Sequence, residues 1–184
     1  KIRSNLVRRI LRELDDLAKN DPESYRTFWE QFGMFIKEGV ASTPEDHTSL
    51  MPLLRFHSSK TGAGEWVSLP EYVARMPEEQ AAVYYLFGED LTSITRSPHL
   101  DPFKTSGAEV LYLTEPIDSF MMMALQEFEG HALQNIADAD VEAPESAADD
   151  PQGEALDADL FNPLLARFNE VLGERVVGIR EAKR

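Results

Sequence analysis

The sequence predicts an α/β fold in which a helical section precedes a small three-layer α/β/α unit with a short parallel sheet, followed by an acidic linker and a helix–strand tail. Apolar residues recur at helical spacing near the N-terminus, which indicates amphipathic helices. Two short runs rich in aromatic and β-branched residues, 82–87 and 110–114, alternate with helical segments and are typical of buried strands. From Asp138 to Asp159 there are nine acidic residues and no basic residue, a composition that cannot bury enough apolar surface to fold alone.

Residues 1–19 form the first predicted helix, which carries arginines on the side opposite its apolar stripe. The apolar positions are Ile2, Leu6, Val7, Ile10, Leu11, Leu14, Leu17 and Ala18. A second helix is expected to begin after Asp21, because an N-cap aspartate followed by Pro22 and Glu23 is a typical helix start.

The second predicted helix has an aromatic stripe on one face. Its members are Tyr25, Phe28, Trp29 and Phe32, followed by Ile36. Gly33 lies inside this pattern at a cost of about 1 kcal/mol relative to alanine, so the helix either runs on to Lys37 or breaks near it. Gly39 is the expected end of the helix.

A third helix is expected over 45–56, although Pro52 in its middle favours a kink or a late start. The glycine-containing segment 60–64 is predicted to be a surface loop. Ser68 is the predicted N-cap of a short helix over 69–76.

The sequence pattern changes after Pro77, where segments typical of short buried strands alternate with segments typical of helices. The predicted strands are 82–87, 110–114 and 132–137, and the predicted helices are 91–96, 98–105 and 117–128. This alternation predicts parallel strands joined by right-handed crossovers.

The chain is expected to have four parts. These are a helical section at 1–76, an α/β/α section at 77–137, an acidic flexible linker at 138–159, and a tail at 160–184 that begins a further domain. The tail contains an amphipathic segment, 160–172, and a short β-branched segment, 175–179, which predict a helix and a strand. Because the sequence begins at Lys1, it is expected to be a segment of a longer protein.

The composition argues against several functional classes. With 18 basic and 33 acidic residues the net charge is −15, which disfavours nucleic acid as a partner. No apolar run approaches the roughly 18 residues of a membrane helix, and no membrane partner is expected. The four histidines are widely separated and there is no cysteine, so no metal site is expected. The glycine patterns of a phosphate-binding loop or a nucleophile elbow are absent from the sequence.

Two surface features carry functional hypotheses. Arg8, Arg9 and Arg12 form a basic helix face, which is either simply solvated or a docking patch for an acidic partner or phosphate. The run Met121-Met122-Met123 follows Phe120, and a helix cannot bury all of these residues on one stripe. At least one of the four is expected to point outward, giving an adaptable apolar surface, whereas full burial between the sheet and a neighbouring domain is the alternative.

Several segments resemble the middle domain of the heat-shock protein 90 chaperone family, bacterial HtpG type. The matching segments are 1–6, 25–32, 53–59, 68–76, 84–85, 109–111, 115–118 and 127–130. They include Leu-Leu-Arg-Phe-His-Ser-Ser at 53–59 and Glu-Phe-Glu-Gly at 127–130. The resemblance covers residues 1 to about 137, fades in the acidic stretch, and resumes more weakly from Leu160 into what resembles the start of the C-terminal dimerisation domain.

The resemblance implies an ATP-driven cytosolic chaperone that works as a homodimer and binds unfolded or partly folded client proteins. In this family the middle domain couples to an N-terminal ATPase domain, which holds ATP and Mg, and to the dimerisation domain, and cochaperones bind the assembly. The middle-domain arginine that reaches the nucleotide precedes the segment matching Lys1. Arg3, Arg8 and Arg9 do not match its motif, so no catalytic, cofactor-binding or metal-binding residue is assigned, and this chain is expected to be inactive as an ATPase.

In bacterial members of the family, the helix matching 117–128 contributes an acid followed by an aromatic residue to a client-contacting surface. Here those positions are Ser119 and Phe120, so the aromatic residue is present and the acid is not. The candidate client-binding residues are Ser119, Phe120, Met121, Met122 and Met123. Two alternatives remain: a purely structural spacer, which would bury Phe120 and the methionines, and a small flavodoxin-like ligand-binding enzyme, which the acidic ends of the predicted strands disfavour.

Overall fold

The chain divides into two units, Lys1–Glu145 and Ser146–Arg184. The residues described by the computed structural model are 2–77, 80–138 and 140–144, with helical positions at 163, 166–168 and 171. These helical positions, in the second unit, fall within the helix predicted for 160–172. The predicted strand at 175–179 and most of the predicted linker lie outside the described residues, and the domain boundaries stay predictions.

The first unit begins with two long helices, α1 (Ile2–Asn20) and α2 (Pro22–Ser42), which pack against each other. The predicted start of α2 is confirmed, because the Asp21 carboxylate accepts a hydrogen bond from the backbone N–H of Ser24 and Pro22 occupies the first turn. The buried face of α2 consists of Tyr25, Trp29, Gly33, Ile36, Lys37 and Val40.

The predicted end of the second helix at Gly39 is wrong, because α2 passes through Gly33 and Gly39 without a break. A Cβ on Gly33 would lie 2.8 Å from the Trp29 ring, and one on Gly39 would lie 3.3 Å from Leu50 Cδ1. Both glycines therefore allow close side-chain packing and do not end the helix. The helix ends at Ser42, and the backbone N–H of the next residue, Thr43, donates to the carbonyl of Gly39.

The helix predicted over 45–56 is replaced by three short pieces. A 3₁₀ turn at Pro44–Asp46, α3 (His47–Leu50) and a second 3₁₀ turn at Met51–Leu53 follow one another. Pro52 has no amide proton to donate within a helix, which explains why no continuous helix forms. The chain then enters β1 (His57–Ser58), a strand that the sequence did not predict.

The short helix after the 60–64 loop is confirmed as α4 (Leu69–Arg75). Ser68 caps it: the Ser68 hydroxyl accepts from the backbone N–H of Glu71, and the Glu71 carboxylate accepts from the backbone N–H of Ser68. In the loop, Gly64 has a φ of +74°, a conformation that suits glycine.

Five strands form one mixed sheet in the order β1-β3-β2-β5-β4. The later strands are β2 (Ala82–Phe87), β3 (Val110–Leu113), β4 (Glu127–Phe128) and β5 (His131–Asn135). The predicted parallel sheet is confirmed at its centre, since β2 pairs in parallel with both β3 and β5. The two edge strands, β1 and β4, are antiparallel to their neighbours.

Helices cover both faces of the sheet, which confirms the three-layer arrangement. The helices between the strands are α5 (Leu91–Thr95), α6 (Asp101–Ser106) and α7 (Pro116–Ala124), with a 3₁₀ turn at Pro98–Leu100. Val83, Leu111 and Leu113 join a core with α1, α2, α4 and α7. Tyr84, Leu86, Val110 and Tyr112 face the opposite side, where Ile94, Leu100 and Phe103 cover them. The alternation follows the two-residue period of a strand.

Within the described residues, no helix is both long and apolar enough to cross a membrane.

Candidate functional site

The candidate residues lie on α7, a nine-residue helix with a well-defined start. Pro116 occupies its first turn, and the backbone N–H of Glu115 donates to Asp118 Oδ2 at 3.0 Å. This hydrogen bond satisfies an amide group at the helix entrance and fixes the direction in which α7 leaves the sheet.

A buried ion pair attaches the start of α7 to α2. Lys37 Nζ lies 2.7 Å from Asp118 Oδ1 and 3.0 Å from Glu115 Oε2. The Lys37 and Asp118 side chains are buried, whereas Glu115 is about half exposed. The Lys37 ammonium also lies 5.9 Å from the centroid of the Trp29 ring. A buried charge that loses its partner is costly, so this pair fixes the position of α7 on α2.

The middle of α7 has one face buried in the core and one face exposed to solvent. Met121 and Met122 are buried, whereas Phe120 is 62% exposed and Met123 is 76% exposed. Ser119 is also exposed. The expectation that at least one residue of the Phe120–Met123 run points outward is confirmed. Phe120 and Met123 are three positions apart and therefore share one side of the helix.

A cleft of about 450 Å³ lies at the C-terminal end of α7. Its lining comes from two distant parts of the chain and consists of His47, Thr48, Met51, Pro52, Ala124, Leu125, Gln126, Glu127, Phe128 and Glu129. Sequence reasoning missed this cleft, because the tertiary fold brings together residues about 75 positions apart that share no local pattern.

The acidic rim of this cleft is the turn between β4 and β5. Glu129 and Gly130 both have positive φ, +50° and +84°, as the two-residue turn of a tight hairpin requires. Glu127 and Glu129 are exposed, and their side-chain carboxylates form no hydrogen bond or ion pair with any residue that the structure describes. Their charges are therefore available to a binding partner.

The basic face of α1 is exposed, as the pattern predicted. Arg8, Arg9 and Arg12 all lie on the surface, and Arg9 Nε is 3.8 Å from Glu13 Oε1 in a solvent-exposed pair. Such a pair contributes little to stability. Leu6 and Ile10, on the neighbouring side of the helix, are about half exposed.

A second buried polar cluster surrounds Glu109. Its carboxylate accepts hydrogen bonds from Arg75 at 2.7 and 3.2 Å and from the Ser58 hydroxyl, and its backbone carbonyl accepts from the Tyr72 hydroxyl. Burial raises the pKa of Tyr72 well above its ordinary value. These interactions connect α4, β1 and β3, which gives the cluster a structural role.

Two of the four histidines make hydrogen bonds to the backbone. His47 Nε2 lies 2.7 Å from the carbonyl of Val40, and His57 Nδ1 lies 2.9 Å from the carbonyl of Glu65. The His57 ring also stacks on Trp66, with centroids 3.9 Å apart, and burial lowers the pKa of His57. Across the described ranges, no three His, Asp or Glu side chains are grouped so that they could hold a metal ion.

Comparison with known proteins finds relatives that match nearly the whole chain. The family model described as Hsp90 protein matches residues 1–184. The chaperone protein HtpG of Cronobacter sakazakii is 41% identical over 181 residues, which cover 97% of this chain and 29% of that protein. The chaperone protein HtpG of Yersinia enterocolitica is similar to the same extent. The chain thus spans about 29% of the length of the curated relatives it matches.

A solved structure is similar over most of the described fold. It is the middle domain of a Plasmodium falciparum heat shock protein, which is 26% identical to this chain with a TM-score of 0.70. The match covers 73% of this chain and 55% of the other.

Proposed function

Because the chain belongs to the Hsp90 protein family, as a middle domain of the HtpG type, we propose that it is the client-binding and coupling segment of an ATP-dependent chaperone. Its clients are unfolded or partly folded proteins, bound through their exposed apolar segments. The observation that carries the proposal is the exposure of Phe120 and Met123 on a helix whose other face is buried.

The physical properties of these side chains suit a surface that accepts many sequences. Phe120 offers a large apolar ring and Met123 a flexible, polarizable thioether, so the pair adapts to different partners. Ser119 adds a small uncharged neighbour in place of an acid. We assign direct client contact to Phe120, Met123 and Ser119. Met121 and Met122 support this surface from the core, where both are buried.

The way α7 is held on α2 supports the proposed role in coupling between domains. The Lys37–Asp118 ion pair links α7 to α2, so a displacement of either helix would be transmitted to the other through a contact that is costly to break. In the proposed whole protein, an N-terminal domain binds ATP and Mg, a C-terminal domain forms the homodimer, and cochaperones bind the assembly in the cytoplasm. This chain contributes no catalytic, cofactor or metal residue and is not itself an ATPase.

The test is an NMR titration of this chain with an unfolded model client, following the methyl signals of Met121, Met122 and Met123. The Met123 signal should shift most, because its side chain is exposed. Phe120→Ala should weaken binding about tenfold or more, the loss expected for an aromatic interface anchor. Phe35→Ala is the matched control, since Phe35 is 59% exposed but lies on α2.

Two results would contradict the proposal. Unchanged methyl signals, with the client bound only by a longer form of the protein, would support the structural spacer. Equal effects of Phe120→Ala and Phe35→Ala would show that the binding is not specific to α7.

A further inference from the structure

The cleft at the end of α7 combines an apolar floor with an acidic rim. Leu125 and Phe128 are buried and, with Met51 and Pro52, form its apolar lining. Its volume of about 450 Å³ lies within the range of roughly 300–1,000 Å³ typical of binding sites. The cleft is therefore large enough to accept at least one large apolar side chain.

The cleft continues the exposed row of α7. Ala124, which lines it, follows Met123 directly and lies four positions after Phe120. Residues three and four apart are neighbours on a helix surface, so Phe120, Met123 and Ala124 form one connected strip. A segment bound along Phe120 and Met123 thus reaches the cleft without leaving the protein surface.

The charge around the cleft has one sign. Glu127 and Glu129 are exposed carboxylates without a partner among the described residues, and none of the residues lining the cleft is lysine or arginine. His47, the one basic side chain in the lining, has its Nε2 2.7 Å from the carbonyl of Val40. Two unpaired carboxylates beside an apolar cleft attract a cation and repel an anion.

One wall of the cleft is an edge strand. Both residues of β4, Glu127 and Phe128, line the cleft, and β4 ends the sheet with β5 on its inner side. An edge strand presents backbone groups that an extended segment can pair with. The occupant that fits this wall is an extended polypeptide.

We propose that this cleft selects extended client segments in which a large apolar side chain is followed or preceded by lysine or arginine. The apolar side chain enters between Met51 and Leu125, and the cation pairs with Glu127 or Glu129. This inference rests on the proposed function and deepens it: α7 supplies apolar affinity, and the cleft supplies a preference for positive charge. Glu127 and Glu129 would thus supply the negative charge that is missing at Ser119.

The experiment compares two fluorescent ten-residue peptides by anisotropy with the full 184-residue chain. The peptides share one phenylalanine and one leucine, which are flanked by arginines in one peptide and by glutamates in the other. The arginine peptide should bind about tenfold more tightly or better at low salt, with a smaller difference at high salt because the carboxylates are exposed. Equal affinity of the two peptides, or no binding of either, would overturn the inference.

Charge variants locate the preference. Glu127→Gln with Glu129→Gln should remove most of the difference between the peptides. Glu38→Gln with Glu89→Gln is the matched control, because it removes the same charge from two exposed sites that do not line the cleft. If both double variants reduce the difference equally, net charge explains the preference and the cleft does not.

A steric variant tests the apolar part of the cleft. Thr48→Trp should fill the cleft and weaken the arginine peptide at least fivefold. Ser49→Trp, at the next exposed residue of α3 and outside the lining, should leave the affinity within twofold. Equal effects of the two variants would overturn the inference.

The two proposals can fail separately. If Phe120→Ala weakens the unfolded client while the peptides show no charge preference, the client surface stands and the cleft assignment falls. If Phe120→Ala does not change the affinity for the unfolded client, the proposed function is wrong, whatever affinities the two peptides show.

Discussion

Lys37 on α2 places its ammonium 2.7 Å from the carboxylate of Asp118 on α7, and both side chains are almost completely buried, with 6% and 1% exposed. The two residues are far apart in the sequence. Their pairing places the helix that carries Phe120 and Met123 directly on α2. The helix that carries the proposed client-binding surface is therefore held in place by a buried ion pair as well as by apolar packing.

Lys37→Met should lower the free energy of unfolding by about 3–5 kcal/mol, because it leaves the buried Asp118 carboxylate without its cation. Urea unfolding followed by circular dichroism measures the loss. Lys37→Met combined with Asp118→Leu should recover much of it, since an apolar pair avoids the unpaired charge. A loss below about 1 kcal/mol in the single variant would show that the carboxylate finds another partner or water.

Alanine substitutions at Met121 and Met123 should separate stability from binding. Met121→Ala empties a fully buried site and should cost about 2–5 kcal/mol of stability. Met123→Ala should change stability by less than about 0.5 kcal/mol but weaken client binding, because its side chain is 76% exposed. Thermal or urea unfolding, together with a client titration, gives both quantities. A stability loss at Met123 similar to that at Met121 would contradict the orientation of α7.

Gly33→Ala should destabilise the protein although alanine is the better helix former. The new Cβ would lie 2.8 Å from the Trp29 ring, and overpacking of this kind costs about 1–3 kcal/mol. Gly39→Ala is the comparison: its Cβ meets only the flexible end of Leu50 at 3.3 Å, so its effect should be smaller or favourable. Unfolding by urea distinguishes the two. Stabilisation by Gly33→Ala would show that Trp29 moves aside at little cost.

His57 should make stability depend on pH below its ordinary pKa. Burial lowers the pKa of His57 in the folded protein, so the unfolded chain binds the proton more readily. The free energy of unfolding contributed by this residue is complete above about pH 6.5, and it falls as the pH drops through 6.5 towards the folded pKa.

The measurement is the unfolding free energy of the protein and of His57→Gln between pH 5 and pH 8. Glutamine cannot titrate but can still donate to the carbonyl of Glu65. The difference between the two proteins should therefore vary with pH only at the acidic end of this range. A constant difference across the range would show that the folded His57 has an ordinary pKa.

The sequence predicted elements whose signals are local. The start of α2 follows from Asp21 and Pro22, the start of α4 follows from Ser68, and β2 and β3 follow from continuous apolar runs. Features that depend on distant partners were missed. β1 and β4 have two residues each, too few for a pattern, and exist because β3 and β5 pair with them. The predicted end of α2 at Gly39 was wrong because this glycine makes room for the Leu50 side chain. The local sequence around Gly39 contains no sign of that distant contact.

The candidate site likewise was predictable only where its signals are local in the sequence. Helical geometry alone required part of the Phe120–Met123 run to face outward, but which residues do so depends on where Lys37 anchors α7. The cleft needed the full fold, because Met51, in the 3₁₀ turn after α3, and Phe128, in β4, line it together only when both elements are in place. Charge gave no sign of it, since Glu127 and Glu129 are two among 33 acidic residues.

The order of strands in the sheet also has a consequence for biosynthesis. The central strand β2 pairs with β3 through Tyr84 and Val110 and with β5 through Ala82 and Ala132, so both partners are made after it. The contacts between α1 and α2 are local in the sequence and can form early. A nascent chain released from the ribosome stepwise therefore carries an apolar strand with two open edges until residue 113 has emerged, and with one open edge until residue 135 has emerged. During that interval this member of a chaperone family is itself the kind of aggregation-prone chain that a chaperone would bind.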